Sequence, residues 1–446
     1  MEYLSLLTDF KAMGIEWATF AMFATLLALL LTGMPLAFVT GIVAAFFTIF
    51  WIGPNAAPLL VSRVYSFVTS YVFIAVPMFV LMASILDRSG IATDLFNAMR
   101  VVAGRLRGGV AVQTIIVAVF LAAMSGIIGG ETVLLGMIAL PQMLRLGYDR
   151  NLAIGSVCAG GALGTMMPPS IVLIIYGLIA NVSISDLFTS SFVPALMLAG
   201  FYITYVLIRS YLNHDLAPIA TEDDRSTTTK EKLQAMKGVA LPILVAFAVL
   251  GSIYGGIASV TEASGVGVFG IILSTWYRKE LSWKILKESA IQTLETCGMI
   301  IWIGVGASML VGVYNLMGGI EFVESLLLNF GDGSPTSILL LMMAILFLLG
   351  MFLDWVGVAL LTMPIFVPIV IKLGYDPVWF GVLFCMNMQV SFLSPPFGPA
   401  AFYLKSVAPD DITLNHIFRS VLPFIVMQII ALALMILFPE IAMWWK

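Results

Sequence analysis

The chain has 446 residues, of which 61% are hydrophobic and 10% charged, with a formal net charge of −4 and a mean hydropathy of +1.06. This is far more apolar than a water-soluble domain's usual mix and carries no basic excess for nucleic acid, so a soluble fold and a nucleic-acid-binding role are both excluded. Lipid is the first partner such a chain implies. The runs are apolar on every side, as in 338–353 (ILLLMMAILFLLGMFL), whereas a transmembrane barrel needs short alternating segments. The fold class expected is therefore an all-α polytopic membrane protein, whose helices satisfy their own backbone groups in hydrocarbon.

In chain order, Glu2, Asp9 and Glu16 precede the first apolar run with Lys11 as the lone base. Because a cleaved signal has a cationic start, that run is expected to be retained. Spans are predicted near 17–32, 36–52, 58–85, 108–128, 131–146, 150–167, 171–182 and 190–211. Beyond a hydrophilic stretch at 213–237, which contains Thr221-Glu222-Asp223-Asp224-Arg225-Ser226 and reads as a linker, further spans are predicted near 238–253, 256–277, 284–303, 303–318, 336–353, 356–373, 377–393, 397–407 and 417–438. Several pieces are too short to cross a ~30 Å core alone. These lie beside Gly164-Thr165-Met166-Met167-Pro168-Pro169-Ser170 and Ser391-Phe392-Leu393-Ser394-Pro395-Pro396, the pattern of re-entrant hairpins and broken helices.

The two halves repeat. Leu146-Gly147-Tyr148-Asp149 returns as Leu373-Gly374-Tyr375-Asp376, and Pro141, Cys158 and Pro168-Pro169 return as Pro368, Cys385 and Pro395-Pro396, each at an offset of 227. Repeats of this kind place a site near the bilayer midplane. Arg100, Arg105 and Arg107 flank a break whose counterpart, Asn329 to Gly333, has no base. That difference favours an inverted repeat, since basic loops stay on one side. Thr261 and Glu262 form another polar break, with no counterpart evident at the same offset.

Hairpin tips inside a membrane leave carbonyls and amides that an ion, a ligand or water must satisfy. Thr165 and Ser170 at the first tip, with Ser391 and Ser394 at the second, add hydroxyl oxygens of the kind sodium prefers, and the prolines end the helices. Facing breaks occur at 125–132 (SGIIGGET) and 350–357 (GMFLDWVG). Their acids, Glu131 and Asp354, are functional candidates because ionisable groups are costly in a span. Lys405, one short helix beyond the second tip, is a candidate for attracting an anionic substrate, and Asn387 and Gln389 are candidates for lining its path. Cys158, Cys297 and Cys385 stand in apolar runs and read as buried hydrophobes. No Walker A, HExxH or GxSxG pattern occurs, so an enzyme is not expected. A channel would use symmetric polar rings, whereas paired hairpins within one chain suit alternating access.

The strings from Gly129-Gly130-Glu131-Thr132 to Leu140-Pro141, Gly147-Tyr148-Asp149, Gly160-Gly161-Ala162-Leu163-Gly164 and Pro168-Pro169-Ser170 resemble the large permease subunit of tripartite ATP-independent periplasmic (TRAP) transporters. So do Asp354, Met363-Pro364-Ile365-Phe366-Val367-Pro368 and Ser394-Pro395-Pro396-Phe397-Gly398-Pro399. At Gly129-Gly130-Glu131 the chain departs from many relatives, in which a smaller, uncharged residue is common.

The resemblance implies a sodium-driven importer of small organic acids or polar solutes in the bacterial inner membrane, with inverted repeats and elevator motion. It also implies two partners, a small four-helix membrane subunit and a periplasmic substrate-binding protein. A stand-alone sodium-coupled symporter would share the same repeats. The division it suggests is N-terminal scaffold helices (1–57), a first repeat (58–212), the linker (213–237), connecting scaffold helices (238–283) and a second repeat (284–446). Sodium ligands are then expected among Ser125, Gly129, Gly164, Thr165 and Pro168, and among Gly350, Asp354, Gly357, Ser391, Ser394 and Pro395. Glu131, Ser170, Asn387, Gln389 and Lys405 are the substrate candidates.

Overall fold

A computed structural model describes residues 12, 14–103, 106–126, 129–218, 229–329 and 333–446. The acids and lysine at 1–11, Arg105, Ile127-Ile128, the polar run at 221–226 and part of the 329–333 loop lie outside the described residues. Among those described there is no strand, and nineteen α-helices follow one another. The first half contains α1 (Gly14–Leu31), α2 (Leu36–Phe47, prolonged by a π turn to Ile52), α3 (Ala57–Val68), α4 (Ala75–Arg88), α5 (Ile91–Ala103) and α6 (Gly109–Ser125). It closes with α7 (Gly130–Arg145), α8 (Arg150–Ala162), α9 (Ile171–Ala180) and α10 (Ile184–Leu212). The second contains α11 (Thr229–Tyr254), α12 (Val260–Tyr277), α13 (Trp283–Leu316), α14 (Gly319–Leu328) and α15 (Pro335–Gly350). It closes with α16 (Trp355–Lys372), α17 (Pro377–Leu393), α18 (Pro399–Lys405) and α19 (Leu414–Leu437). Six helical segments, among them 71–88, α10, α13 and α19, are long and apolar enough to cross a membrane.

Several boundaries differ from the apolar-run reading. The expected span 58–85 is broken: Thr69 Oγ1 bonds back to Tyr65 O at 2.7 Å, and Pro77 has no N–H to continue a helix through the turn at 71–74. Its counterpart, read as two spans meeting at 303, is the single 34-residue α13. The glycines there are points of contact, not breaks. A Cβ at Gly304 would lie 2.1 Å from the Phe67 ring, and one at Gly306 2.2 Å from Thr40 Oγ1, so they let α13 press on α3 and α2. Helices α5 and α14 were not anticipated, because amphipathic segments are not apolar runs. Helix α11 starts at Thr229, inside the stretch read as linker, where Lys230-Glu231-Lys232-Leu233-Gln234-Ala235-Met236-Lys237 is rich in helix formers.

The break at Thr261-Glu262 is an N-cap: Ser259 and Glu262 form a capping box on α12. Contrary to the sequence reading it has a counterpart, since Ser259 lies 227 beyond Thr32, in the turn before α2. The same offset relates helix to helix from α1 onward, pairing α8 (150–162) with α17 (377–393) and α10 with α19. Gly147 and Gly374 end their helices at φ +81° and +82°. Asp149 and Asp376 then cap the next helices by accepting backbone N–H groups.

The copies are inverted. Where α8 begins, Asp149 N donates to Leu216 O at 2.9 Å, just past the end of α10. Where α17 begins, Asp376 pairs with Lys446 at 2.6 Å, and Trp444 and Trp445 donate to Thr189 O and Ser190 Oγ near the start of α10. With 29 residues, α10 is roughly 40 Å long at ~1.5 Å per residue. Equivalent helices therefore enter from opposite ends.

Helices α8 and α17 form the core. Every residue of α17 from Val378 to Leu393 is buried, as is every residue of α8 from Leu152, the signature of helices enclosed on all faces. Gly155 of α8 lets α19 approach, since a Cβ there would lie 2.4 Å from Phe424 Cε2 and 2.5 Å from Ser420 O, whereas one at Gly200 of α10 would meet nothing within 4 Å. Gly155→Ala should thus cost about 1–3 kcal/mol of overpacking and lower the melting temperature in detergent. Gly200→Ala should leave it unchanged or slightly raised.

Candidate functional site

Each candidate site pairs a hairpin tip with a helix break. In the first, α8 tightens into a 3₁₀ turn (Leu163–Thr165) and the chain returns through Pro168-Pro169 into α9. Both Pro-Pro bonds of the molecule, Pro168-Pro169 and Pro395-Pro396, are cis. Thr165 Oγ1 donates to Ala162 O at 3.1 Å and Ser170 Oγ to Thr165 O at 2.5 Å. Donating its one hydrogen to the chain leaves each hydroxyl its oxygen lone pairs for a cation.

This tip closes on the break between α6 and α7. Ile171 N donates to Gly126 O at 3.4 Å. Gly126, at φ +58°, has Pro169 O 2.1 Å from where a Cβ would stand. Ser125 donates to Glu131 Oε1, and the Glu131 side chain, 1% exposed, faces α8: a Cβ at Gly164 would be 2.8 Å from Oε1. Thr132 faces Gly161 in the same way, at 2.1 Å. Glu131 Oε2 and Thr132 Oγ1 are buried without a hydrogen-bond partner among the described residues. So is Oδ1 of Asp87, whose Oδ2 lies 2.9 Å from a Cβ built at Gly130. Ser125, Glu131, Gly164, Thr165, Pro168 and Ser170 thus meet around one buried polar spot.

In the second, Ser391 Oγ lies 3.3 Å from Phe347 O and 3.2 Å from Asn387 O, and a Cβ at Gly350 would be 2.6 Å from it. Ser394 Oγ donates to Val390 O at 2.7 Å. Asp354 caps α16 by accepting Val356 N at 3.1 Å. Gly350, Ser391 and Ser394 are close together, while Pro395 to Phe397 are exposed, unlike the wholly buried first tip.

Other candidates are held elsewhere. Gly357 is turned to Leu36 of α2, 2.4 Å from a Cβ position. Asn387 is tied to Met343 O at 2.8 Å, and Gln389, on the opposite face of α17, meets Gln428 at 3.5 Å. Lys405 reaches Asp410 O at 3.4 Å, away from the tips. Gly129, at φ +100°, does border the first break and touches Tyr403, whose ring would sit 2.8 Å from a Cβ there.

Tyr403, Asp87 and Thr132 are the residues that sequence reasoning missed. Tyr403 comes from α18, beyond the second tip, and its ring lies against Gly129 at the first break, so it ties the second hairpin to the first break. A signal existed: Tyr403 is 227 beyond Tyr176, whose hydroxyl donates to Pro377 O at 2.6 Å. Asp87, beside Arg88 at the end of a run, reads in sequence as an ordinary interfacial acid.

Inverted helical repeats, each with a membrane hairpin closing on a broken helix, define a polytopic transporter rather than an enzyme. The model of the DctM component of tripartite ATP-independent periplasmic transporters matches residues 23–441, so the chain belongs to that family of large permeases. It is 30% identical over 434 residues to the ectoine TRAP transporter large permease protein TeaC of Halomonas elongata, covering 95% of this chain and 98% of that one. With the C4-dicarboxylate large permease protein DctM of Vibrio cholerae the identity is 26% over 444 residues, covering 95% and 96%. With the sialic acid permease protein SiaT of Haemophilus influenzae it is 29% over 380 residues, covering 83% of this chain but 59% of SiaT. The fold is similar to the crystal structure of the Alcanivorax borkumensis YdaH transporter, with a TM-score of 0.55 at 14% identity over 86% of this chain and 88% of that one.

The Ser125–Glu131 bond yields a test. Ser125→Ala strips Glu131 of its described partner and should cost about 1–3 kcal/mol, seen as a lower melting temperature in detergent. The double variant Ser125→Ala/Glu131→Leu, which leaves no carboxyl to satisfy, should recover most of that loss.

Proposed function

We propose that this chain is the membrane permease of a sodium-coupled importer in the bacterial inner membrane, taking up a small organic acid or polar solute by elevator-type alternating access. Ectoine, C4-dicarboxylate and sialic acid permeases among its relatives support that substrate range. The observation that carries sodium coupling is the pair of tips whose hydroxyls, Thr165 and Ser394, donate inward to helix carbonyls and keep their oxygens for a hard cation. Bound ions would order the tips and complete a substrate site between them, with Tyr403 linking the two halves. A small four-helix membrane subunit and a periplasmic binding protein are the partners the family supports.

Charge supports one orientation. Arg107, Arg145, Arg150, Arg209 and Arg419 gather at the end where α8 begins, whereas Lys372 and Lys446 stand where α17 begins. The positive-inside tendency makes the first end cytoplasmic. The binding protein would then dock on the other.

Proteoliposomes holding this chain with its small membrane partner test the reading. Uptake should require both an inward sodium gradient and the cognate binding protein. Thr165→Ala and Ser394→Ala should each raise the sodium concentration for half-maximal uptake about tenfold, the loss of roughly one hydrogen-bond-sized contact. Uptake without a sodium gradient would remove the coupling assignment, unchanged sodium activation in both variants would remove the tip hydroxyls as its ligands, and uptake without the binding protein would establish a stand-alone symporter instead.

A further inference from the structure

At the end of the molecule where α8 begins, α10 ends and α19 begins, a cavity of about 160 Å³ opens between the helices. Its polar wall carries Arg209, Arg419, Tyr205, Asn151 and Asp149, and the half-buried Leu216 and Pro423 form its apolar floor beside the buried Leu152 and Phe424. A second cavity, of about 530 Å³, shares Asn151 and Arg419 and adds Thr413, Asn415 and His416.

Among the described residues the wall sets two guanidinium groups against one carboxylate. Arg150, beside the cavities, is committed to Asp411 at 2.6 Å, but neither Arg209 nor Arg419 forms an ion pair among the described residues. The one acid in the wall, Asp149, accepts Leu152 N on Oδ1 at 3.0 Å and offsets one of the two guanidinium charges, which leaves the wall one net positive charge. Asn151 Oδ1 lies 3.1 Å from His416 Nε2 and 3.1 Å from Ser420 Oγ, which also reaches His416 O at 2.8 Å, so the amide N–H groups are left to donate outward. Two guanidinium forks and an amide lining one space, with the Tyr205 hydroxyl beside Arg209, suit a phosphate or phosphodiester.

The floor separates the possible sources. A free inorganic anion gains nothing from Leu216 and Pro423, but the glycerol and first methylenes below a lipid phosphate do. We propose that this pocket binds the phosphate-bearing headgroup of an anionic phospholipid, with Arg209 and Arg419 on the phosphate and the apolar floor beneath the glycerol. A lipid held there would tie the entry of the first hairpin arm, α8, to α10 and α19.

Native mass spectrometry of the delipidated protein, titrated with phosphatidylglycerol or with phosphatidylcholine of the same acyl chains, tests this. Phosphatidylglycerol should bind more tightly than phosphatidylcholine. Arg209→Gln/Arg419→Gln should weaken phosphatidylglycerol about 30-fold, at roughly 1 kcal/mol per basic residue, while Lys372→Gln at the opposite end should leave it unchanged. If the double variant does not fold, Arg419→Gln alone, an exposed position, should weaken binding about fivefold. Equal phosphatidylglycerol binding by the wild type and an arginine variant, or equal binding of the two lipids, overturns the proposal. Displacement of phosphatidylglycerol by inorganic phosphate at matching concentration overturns the lipid assignment in favour of a free-anion site.

Discussion

Hydrocarbon offers no hydrogen bonds, so every N–H and C=O in the membrane must be satisfied from within the protein. Everything distinctive in this chain follows from how it meets that demand at the four places where its helices stop short. At the first tip, Ser170 bonds Thr165 O and the Gly126 carbonyl accepts Ile171 N. At the second, Ser391 and Ser394 turn their hydroxyls to helix carbonyls. In these bonds backbone left over by a break is met by a side chain or by the facing break, and hydroxyl oxygens not consumed in this way form the candidate ion sites.

Duplication supplies the pairing. Because the copies are inverted, one pattern of break and hairpin builds two sites that approach the membrane from opposite ends, and Tyr403 of one copy rests on Gly129 in the other. The symmetry is nevertheless incomplete. The first tip is buried throughout while Pro395 to Phe397 are exposed, and Glu131 has Val358 at its equivalent position. A buried carboxyl at the first break and a capping one, Asp354, at the second give the two candidate sites different electrostatics from one repeated plan.

Glycine has a specific part here. Gly161 on α8 and Gly164 in the 3₁₀ turn that follows it leave room for Thr132 and the Glu131 carboxyl. They bring a membrane acid against the hairpin arm where larger residues would hold it off. Gly155, farther up the same helix, admits Phe424. The motif Gly160-Gly161-Ala162-Leu163-Gly164, which in sequence reads as family resemblance, is in the structure a surface for close packing.

The sequence by itself determined the helical membrane fold, the repeat and its offset of 227, the two tips and the breaks that face them. These are legible because hydropathy, proline and glycine act locally, over one or two turns. Only the tertiary structure decided that the two expected spans 284–303 and 303–318 are the one helix Trp283–Leu316, that Gln389 faces Gln428 while Asn387 faces Met343, and that Asp87 and Tyr403 lie against the first break. A helix presents all its faces to its own sequence equally. Which face meets hydrocarbon, which meets a neighbour and which meets a site is settled by packing between segments hundreds of residues apart.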